Sequence, residues 1–208
     1  MKEVTCVLCG VRPASTGQGD HIPPRGLYTK SERRSAKYQF HTVPACIQCN
    51  TGDSKHDENL KILIGIESGS EREDKADVID ALAKTVGNNQ RIADQIFNTA
   101  KRSTEGRTIG VKVTFDANSY RKSISRIAKA MYWRMTEEIL PSSAKIETYS
   151  ISEIASDAAD NLRAFFVHLP TMEINGGTFK CKLMKQGNSS VLMINFFDCH
   201  TAIAFIET

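Results

Sequence analysis

Hydrophobic positions change their rhythm along this chain, and the changes divide it. Through residues 1–60 they are scattered among turn formers, with Gly10, Pro13, Gly17, Gly19, Pro23, Pro24, Gly26, Pro44 and Gly52 interrupting every run. This predicts a loop-rich unit without a large core of its own. A short apolar segment, Leu60 to Ile66, follows it. Gly65, Ser68, Gly69, Ser70 and the charged run Glu71-Arg72-Glu73-Asp74-Lys75 then lead into a helix marked by Val78, Ile79, Leu82 and Val86 at helical spacing. Gly87-Asn88-Asn89 breaks that helix, and Ile92, Ile96 and Phe97 continue the pattern in another, so the region to about Ala100 reads as helical. Alternating β-branched residues from Thr108 to Phe115 predict a strand, after which Asp116 or Asn118 is placed to cap the next helix.

That helix, about Ser119 to Leu140, has the clearest period in the chain: Ile124, Ile127, Ala128, Met131, Met135 and Ile139 form one stripe, and Pro141 is expected to end it. Tyr132 and Trp133, with Met131 and Met135, read as core residues of the same helix. Lys122, Arg126 and Lys129 lie on a different face, which suits plain solvent exposure or a phosphate backbone. From Lys145 to Thr208 short strand-like runs alternate, notably Thr178–Met184 and Val191–Phe197, with Gly176-Gly177 and Gly187-Asn188 as turn signals. The pattern predicts an α+β protein with a small head over residues 1–66 and a helical, then α+β lobe over residues 67–208.

Composition narrows the class. A chain of 208 residues, 40% hydrophobic and 25% charged, has the balance of a globular protein and is long enough to bury a core. No stretch approaches the roughly 18 apolar residues of a membrane span, and Met1-Lys2-Glu3-Val4 lacks the apolar run of a signal peptide, so no membrane association and a cytoplasmic location are expected. The net charge of +3 is too mild to argue for nucleic acid by itself, but Arg25, Lys30, Arg33, Arg34 and Lys37 gather against a single acid, Glu32.

The six cysteines carry more information. Cys6/Cys9 and Cys46/Cys49 form two Cys-x-x-Cys pairs, while Cys181 and Cys199 stand alone. Each two-residue gap lets both sulfurs of a knuckle face one ion, and two knuckles complete a tetrahedral zinc site with no position open for substrate. Zn²⁺ in such a site is structural. Between and after the knuckles stand Asp20-His21 and Asn50. A carboxylate and an amide oxygen suit Mg²⁺ or Mn²⁺, and an imidazole with an ordinary pKa near 6.5 accepts a proton from water at neutral pH. Adjacent residues on a strand point to opposite faces, so Asp20 and His21 are placed for separate tasks. His168, beside Leu169-Pro170, reads as a strand-end histidine, and Cys199-His200 lacks a second ligand pair.

Cys-x-x-Cys, Asp-His-x-x-Pro and Val-Pro-x-Cys-x-x-Cys-Asn in this order resemble the HNH endonucleases, whose ββα-metal fold carries a zinc-knuckle brace in many members. The arrangement is similar to phage junction resolvases of the endonuclease VII type and to bacterial HNH proteins reading Asp-His-x-Pro-Pro-x-x-Leu, here Asp20 to Leu27. The match covers roughly residues 6–60. It implies that His21 is the general base, that Asp20 and Asn50 hold the catalytic divalent ion, and that the products carry 5′-phosphate and 3′-hydroxyl ends. The family's middle signature residue, commonly an asparagine that braces the loop of the base, falls on His41. His56, Asp57 and Asn59 compete for the third position, with His56 expected on the surface. Arg25 and Lys55 are candidates to hold the scissile phosphate, and Tyr28, Tyr38 and Phe40 to stack on a base or pack in the core.

The expected partner is nucleic acid, DNA first, with a homodimer contact or a partner protein for the C-terminal lobe. The competing class is a non-catalytic zinc-knuckle module that binds nucleic acid or protein, which has no need of Asp20, His21 and Asn50 together.

Overall fold

The computed structural model describes the backbone of residues 3–15, 19–51, 54–69, 72, 74–105, 108–112 and 114–208. The side chains of Glu3, Ser15, Ser54, Lys55 and residues 102–105 and 108–112 lie outside that description.

The chain is mixed α+β. Two small antiparallel ribbons open it: β1 (Glu3–Thr5) pairs with β2 (Pro13–Ser15), and β3 (Gly19–Ile22) with β4 (His41–Pro44). Between β3 and β4 lies α1 (Lys30–Arg34), started by a capping box in which Thr29 and Glu32 satisfy each other's backbone. After β4 come α2 (Ile47–Thr51) and α3 (Ser54–Ser68), so the expected ββα order is present. The apolar segment Leu60 to Ile66 lies in α3, where Leu60, Ile62 and Ile64 are buried and Ile66 is exposed, and this helix runs through residue 66, where the head was expected to end.

The predicted helical region resolves into α4 (Lys75–Gly87) and α5 (Gln90–Thr99), with Asn89 capping the second by accepting from the Ile92 N–H. The predicted strand is β6 (Thr108–Lys112); it pairs with β5 (Lys101–Glu105), whose charged sequence gave no strand signal. Next comes α6 (Ala117–Thr136), capped by Asp116. It ends before Pro141: Glu137 takes a left-handed conformation (φ 61°) and its N–H bonds to the Trp133 carbonyl, so a C-terminal cap stops the helix.

The C-terminal sheet comprises β7 (Lys145–Ser150), β8 (Met172–Ile174), β9 (Phe179–Gln186), β10 (Ser189–Phe196) and β11 (His200–Glu207), in the antiparallel order β7-β11-β10-β9-β8. Gly187 at φ +58° and Asn188 form the two-residue turn between Gln186 and Ser189. An unanticipated helix, α7 (Ser156–Val167), covers the second face, and His168 is its C-cap rather than a strand end. On β10, Leu192, Ile194 and Phe196 belong to the core shared with α6, whereas Val191 and Met193 pack with Phe166 and Leu162 of α7. Burial on both faces explains why Val191–Phe196 reads as nearly continuous apolar sequence.

The larger core is continuous from Cys6, Val7 and Leu8 through Ile124, Ile127 and Met131 of α6 to Ala202, Ala204 and Ile206. Helix α6 therefore lies between the knuckle head and the sheet and touches both. Met131 and Tyr132 are buried as expected, with Trp133 and Met135 packed at the edge of the core.

Candidate active site

The first knuckle turns between β1 and β2. Gly10 closes it: its N–H bonds to the Cys6 carbonyl at 2.9 Å, its φ is +68°, and a Cβ there would stand 2.8 Å from the Leu140 carbonyl oxygen. The second knuckle is the junction of β4 and α2, where the Asn50 N–H bonds to Cys46 at 2.9 Å, and the Val7 N–H joins the two knuckles by donating to Pro44 at 2.9 Å. Cys6, Cys9, Cys46 and Cys49 thereby bring their sulfurs within 4.8 Å of one another. A tetrahedral zinc centre with bonds of about 2.3 Å needs sulfurs about 3.8 Å apart, so the cluster is of the right size to hold a metal such as zinc. The four thiols also act on one another's ionisation. Burial opposes ionisation of every thiol, but at Cys46 the Cys49 N–H, the neighbouring thiols and Arg12 outweigh it and bring the pKa to about 7. Cys49 is pushed up, first by burial and then by hydrogen bonding to Cys46 and the charges of the other sulfurs.

Strand β3 separates Asp20 from His21. In register with β4, Asp20 lies opposite Val43 and Ile22 opposite His41, and this face turns toward α6. The Asp20 carboxylate is 3.2 Å from Nε of Arg126 on α6. The same guanidinium pairs with Asp57 of α3, which also accepts from Ser123 Oγ at 3.1 Å. Arg126 is only 7% exposed, which corrects the expectation that the basic face of this helix is simply solvated.

His21 points the other way. It lines a cleft of about 650 Å³ together with Asp20, Arg25 and Asp57. Its Nδ1 is buried and has no hydrogen-bond partner among the described residues, and its ring meets Phe40 edge-on at 6.4 Å. Burial, then the charge of Arg25, lowers its pKa and keeps the imidazole neutral. Arg25 is held in place over the Phe40 ring at 5.3 Å.

The remaining candidates separate clearly. His41 lies on the α6 side of β4, where its Nδ1 accepts from Arg134 at 3.2 Å, so it braces the strand pair against α6 on the face opposite His21. Asn50 is half-buried in α2, directly after the last thiol. Of the three competitors for the third position, Asp57 is the one that shares a partner with Asp20. His56 is buried, contrary to the surface position expected, with Nδ1 2.8 Å from Ser119 Oγ. Asn59 is buried, and its Nδ2 has no partner among the described residues. The Lys55 side chain lies outside the described residues. Tyr28 packs against Phe40, Tyr38 and Phe197 with ring centroids 5.1 to 5.5 Å apart, and at 2% exposure it serves the core rather than a base. His200 is buried between Glu67 (2.7 Å) and the Tyr120 hydroxyl (2.8 Å), a structural bridge between α3, α6 and β11.

Arg126 is the residue that the hydrophobic period concealed. Ser119, Ser123, Arg126 and Ala130 form one buried row on α6, and the small side chains of that row let α3 approach closely enough for Asp57 to reach the guanidinium. The oxygen donors of Asp20 and Asp57 thus already flank one cation, and their chemistry fits a hard divalent ion. Comparison with protein-family models, with curated proteins and with solved structures gave no match.

Proposed function

We propose that the chain is a metal-dependent HNH-type endonuclease that hydrolyses phosphodiester bonds, in DNA first. The observation that carries this reading is the meeting of Asp20, Asp57 and neutral His21 at one cleft, which also holds Arg25, Lys30, Arg33 and Lys61, with Arg126 between the two carboxylates. In this reading the four thiolates hold a structural Zn²⁺ that fixes β4 and α2 relative to β3. His21 takes a proton from a water aligned with phosphorus, a task for which its lowered pKa keeps the free base available at pH 7. Arg25 offsets charge on the phosphoryl oxygens. Asp20 and Asn50, with Asp57 beside them, would hold Mg²⁺ or Mn²⁺. Such an ion, when bound, supplies positive charge to a non-bridging oxygen and to the leaving 3′ oxygen.

The test is nicking of supercoiled plasmid by the wild type and His21→Ala, matched in zinc content, with and without Mg²⁺ or Mn²⁺. Metal-dependent nicking that falls at least about 100-fold in the variant is expected for loss of a general base. One observation favours a second reading: Arg126 already neutralises Asp20, as in a knuckle module whose carboxylates are purely structural. That module leaves the two proteins indistinguishable.

A further inference from the structure

A second cleft, of about 530 Å³, runs between α6 and the knuckles. Arg121, Lys122, Arg126 and Lys129 form one wall, and Leu8 and Cys49 face them. Among the described residues no carboxylate lines it, whereas Asp57, Glu58, Asp77 and Asp80 alternate with the bases of the larger cleft. The two clefts meet at Arg126, whose guanidinium pairs with Asp20 and Asp57 of the larger one.

Local structure accounts for only part of this charge. Arg126 is engaged by the two carboxylates, and Lys129 donates to the Leu8 carbonyl at 3.0 Å. A four-thiolate zinc centre carries two negative charges, and Lys129 is placed to offset part of them. Lys122 lies two helical turns away, about 10 Å along the axis, roughly a Debye length at 0.1 M salt. It is exposed, and Arg121 beside it has only a half-exposed approach of 4.0 Å to Glu153, a geometry that contributes little. Neither side chain is needed where it stands to hold the fold.

We infer that this face of α6 carries the sugar–phosphate backbone of a nucleic acid strand, leading it past Cys49 to the site around Asp20 and His21. From Asn118 to Lys129 the helix face spans about 16 Å, enough for several consecutive phosphates at about 3.4 Å of rise per nucleotide on one strand of a duplex. The ligand is a polyanion read through its backbone, so Arg121 and Lys122 set affinity and register and leave base sequence unread. The inference rests on the nuclease reading above and adds the surface that reading lacks.

The test uses full-length His21→Ala protein, which removes cleavage from the measurement, and fluorescence anisotropy with labelled 20-mers of duplex DNA, single-stranded DNA and RNA. Affinity is measured against NaCl concentration without added divalent ions. Adding Arg121→Ala and Lys122→Ala is expected to weaken binding of the preferred nucleic acid at least about tenfold at 50 mM NaCl. It should also flatten the salt slope by about two, one for each phosphate that the variant leaves unneutralised. Arg163→Ala with Lys75→Ala removes the same charge from α7 and α4 and is expected to stay within about twofold. All four side chains are exposed, and a thermal melt confirms that each protein is folded. If the Arg121/Lys122 variant binds like its parent, or if both double variants fall equally, the α6 surface is overturned while the nuclease reading stands. If the parent binds none of the three nucleic acids, the nuclease reading falls and this inference with it.

Discussion

Arg126 occupies the point at which the two functional readings diverge. Its guanidinium sits between Asp20 and Asp57 with 7% exposure, so it offsets one of the two carboxylate charges before any ion arrives and leaves one negative charge over. Removing one member of such a buried set leaves charge uncompensated, at a cost of about 3–5 kcal/mol. Arg126→Ala is therefore expected to lower the melting temperature in metal-free buffer. Millimolar Mn²⁺ should restore part of that loss, because an ion bound to the native state alone stabilises it by mass action. The wild type should respond less to Mn²⁺, its own arginine competing for the same oxygens. Differential scanning fluorimetry with and without Mn²⁺ reads both effects, and an equal Mn²⁺ response in the two proteins would show that Asp20 and Asp57 do not form an ion site.

Helix α6 shows which features of an element its sequence displays. The N-cap is explicit: Asp116 accepts from the Asn118 and Ser119 N–H groups, and its pKa is lowered first by the Ser119 hydroxyl. Asp116→Ala is expected to cost about 1 kcal/mol at pH 7. The folded-state pKa is depressed, so the carboxylate's contribution is present above the ordinary aspartate pKa of about 4 and is lost as pH falls through the lower, folded value. Denaturant melts at pH 7 and pH 3 should show the gap between variant and wild type shrinking in acid; a constant gap would mean that the cap acts through something other than its charge. The apolar stripe from Ile124 to Met135 was equally legible, because burial against the sheet imposes a 3.6-residue period. The C-terminal end was not, since Glu137 stops the helix through a left-handed turn that any sequence rule assigns to glycine or asparagine first. Nor was the second buried row, because a charged Arg126 among serines resembles a wet face until Asp20 and Asp57 arrive from elsewhere in the chain. In the head the four clustered cysteines were legible from their spacing, whereas Asp20 and His21 stood out by residue type and by the HNH resemblance, and the partners of Asp20, His41 and His56 depend on where α6 packs.

At the scale of the whole molecule, one core joins parts of unequal strength. Strands β1 to β4 are three or four residues long and form two-stranded ribbons, which are marginal in water by themselves. Strands β9 to β11 are eight residues each and are packed on one face by α6 and on the other by α7. A metal held by the four thiols would supply what the ribbons lack, since its binding free energy is folding free energy for the unit that presents the ligands. Its removal should therefore act locally. Amides of β3, β4 and α2 are expected to lose at least about a hundredfold in hydrogen-exchange protection after treatment with a strong chelator, equivalent to about 2.8 kcal/mol at 1.4 kcal/mol per tenfold. Amides of β9 to β11 should change less, because these strands pair along all eight residues and are also packed by Phe166 of α7 on the face away from the core they share with the knuckles. The buried Cys6, Val7 and Leu8 belong to the same core as Ile124 and Met131, so a smaller effect should spread into α6. Loss of protection throughout the chain would instead show that the knuckles and sheet unfold as one cooperative unit, and unchanged exchange after confirmed metal loss would show that the four-thiol site does not support the fold.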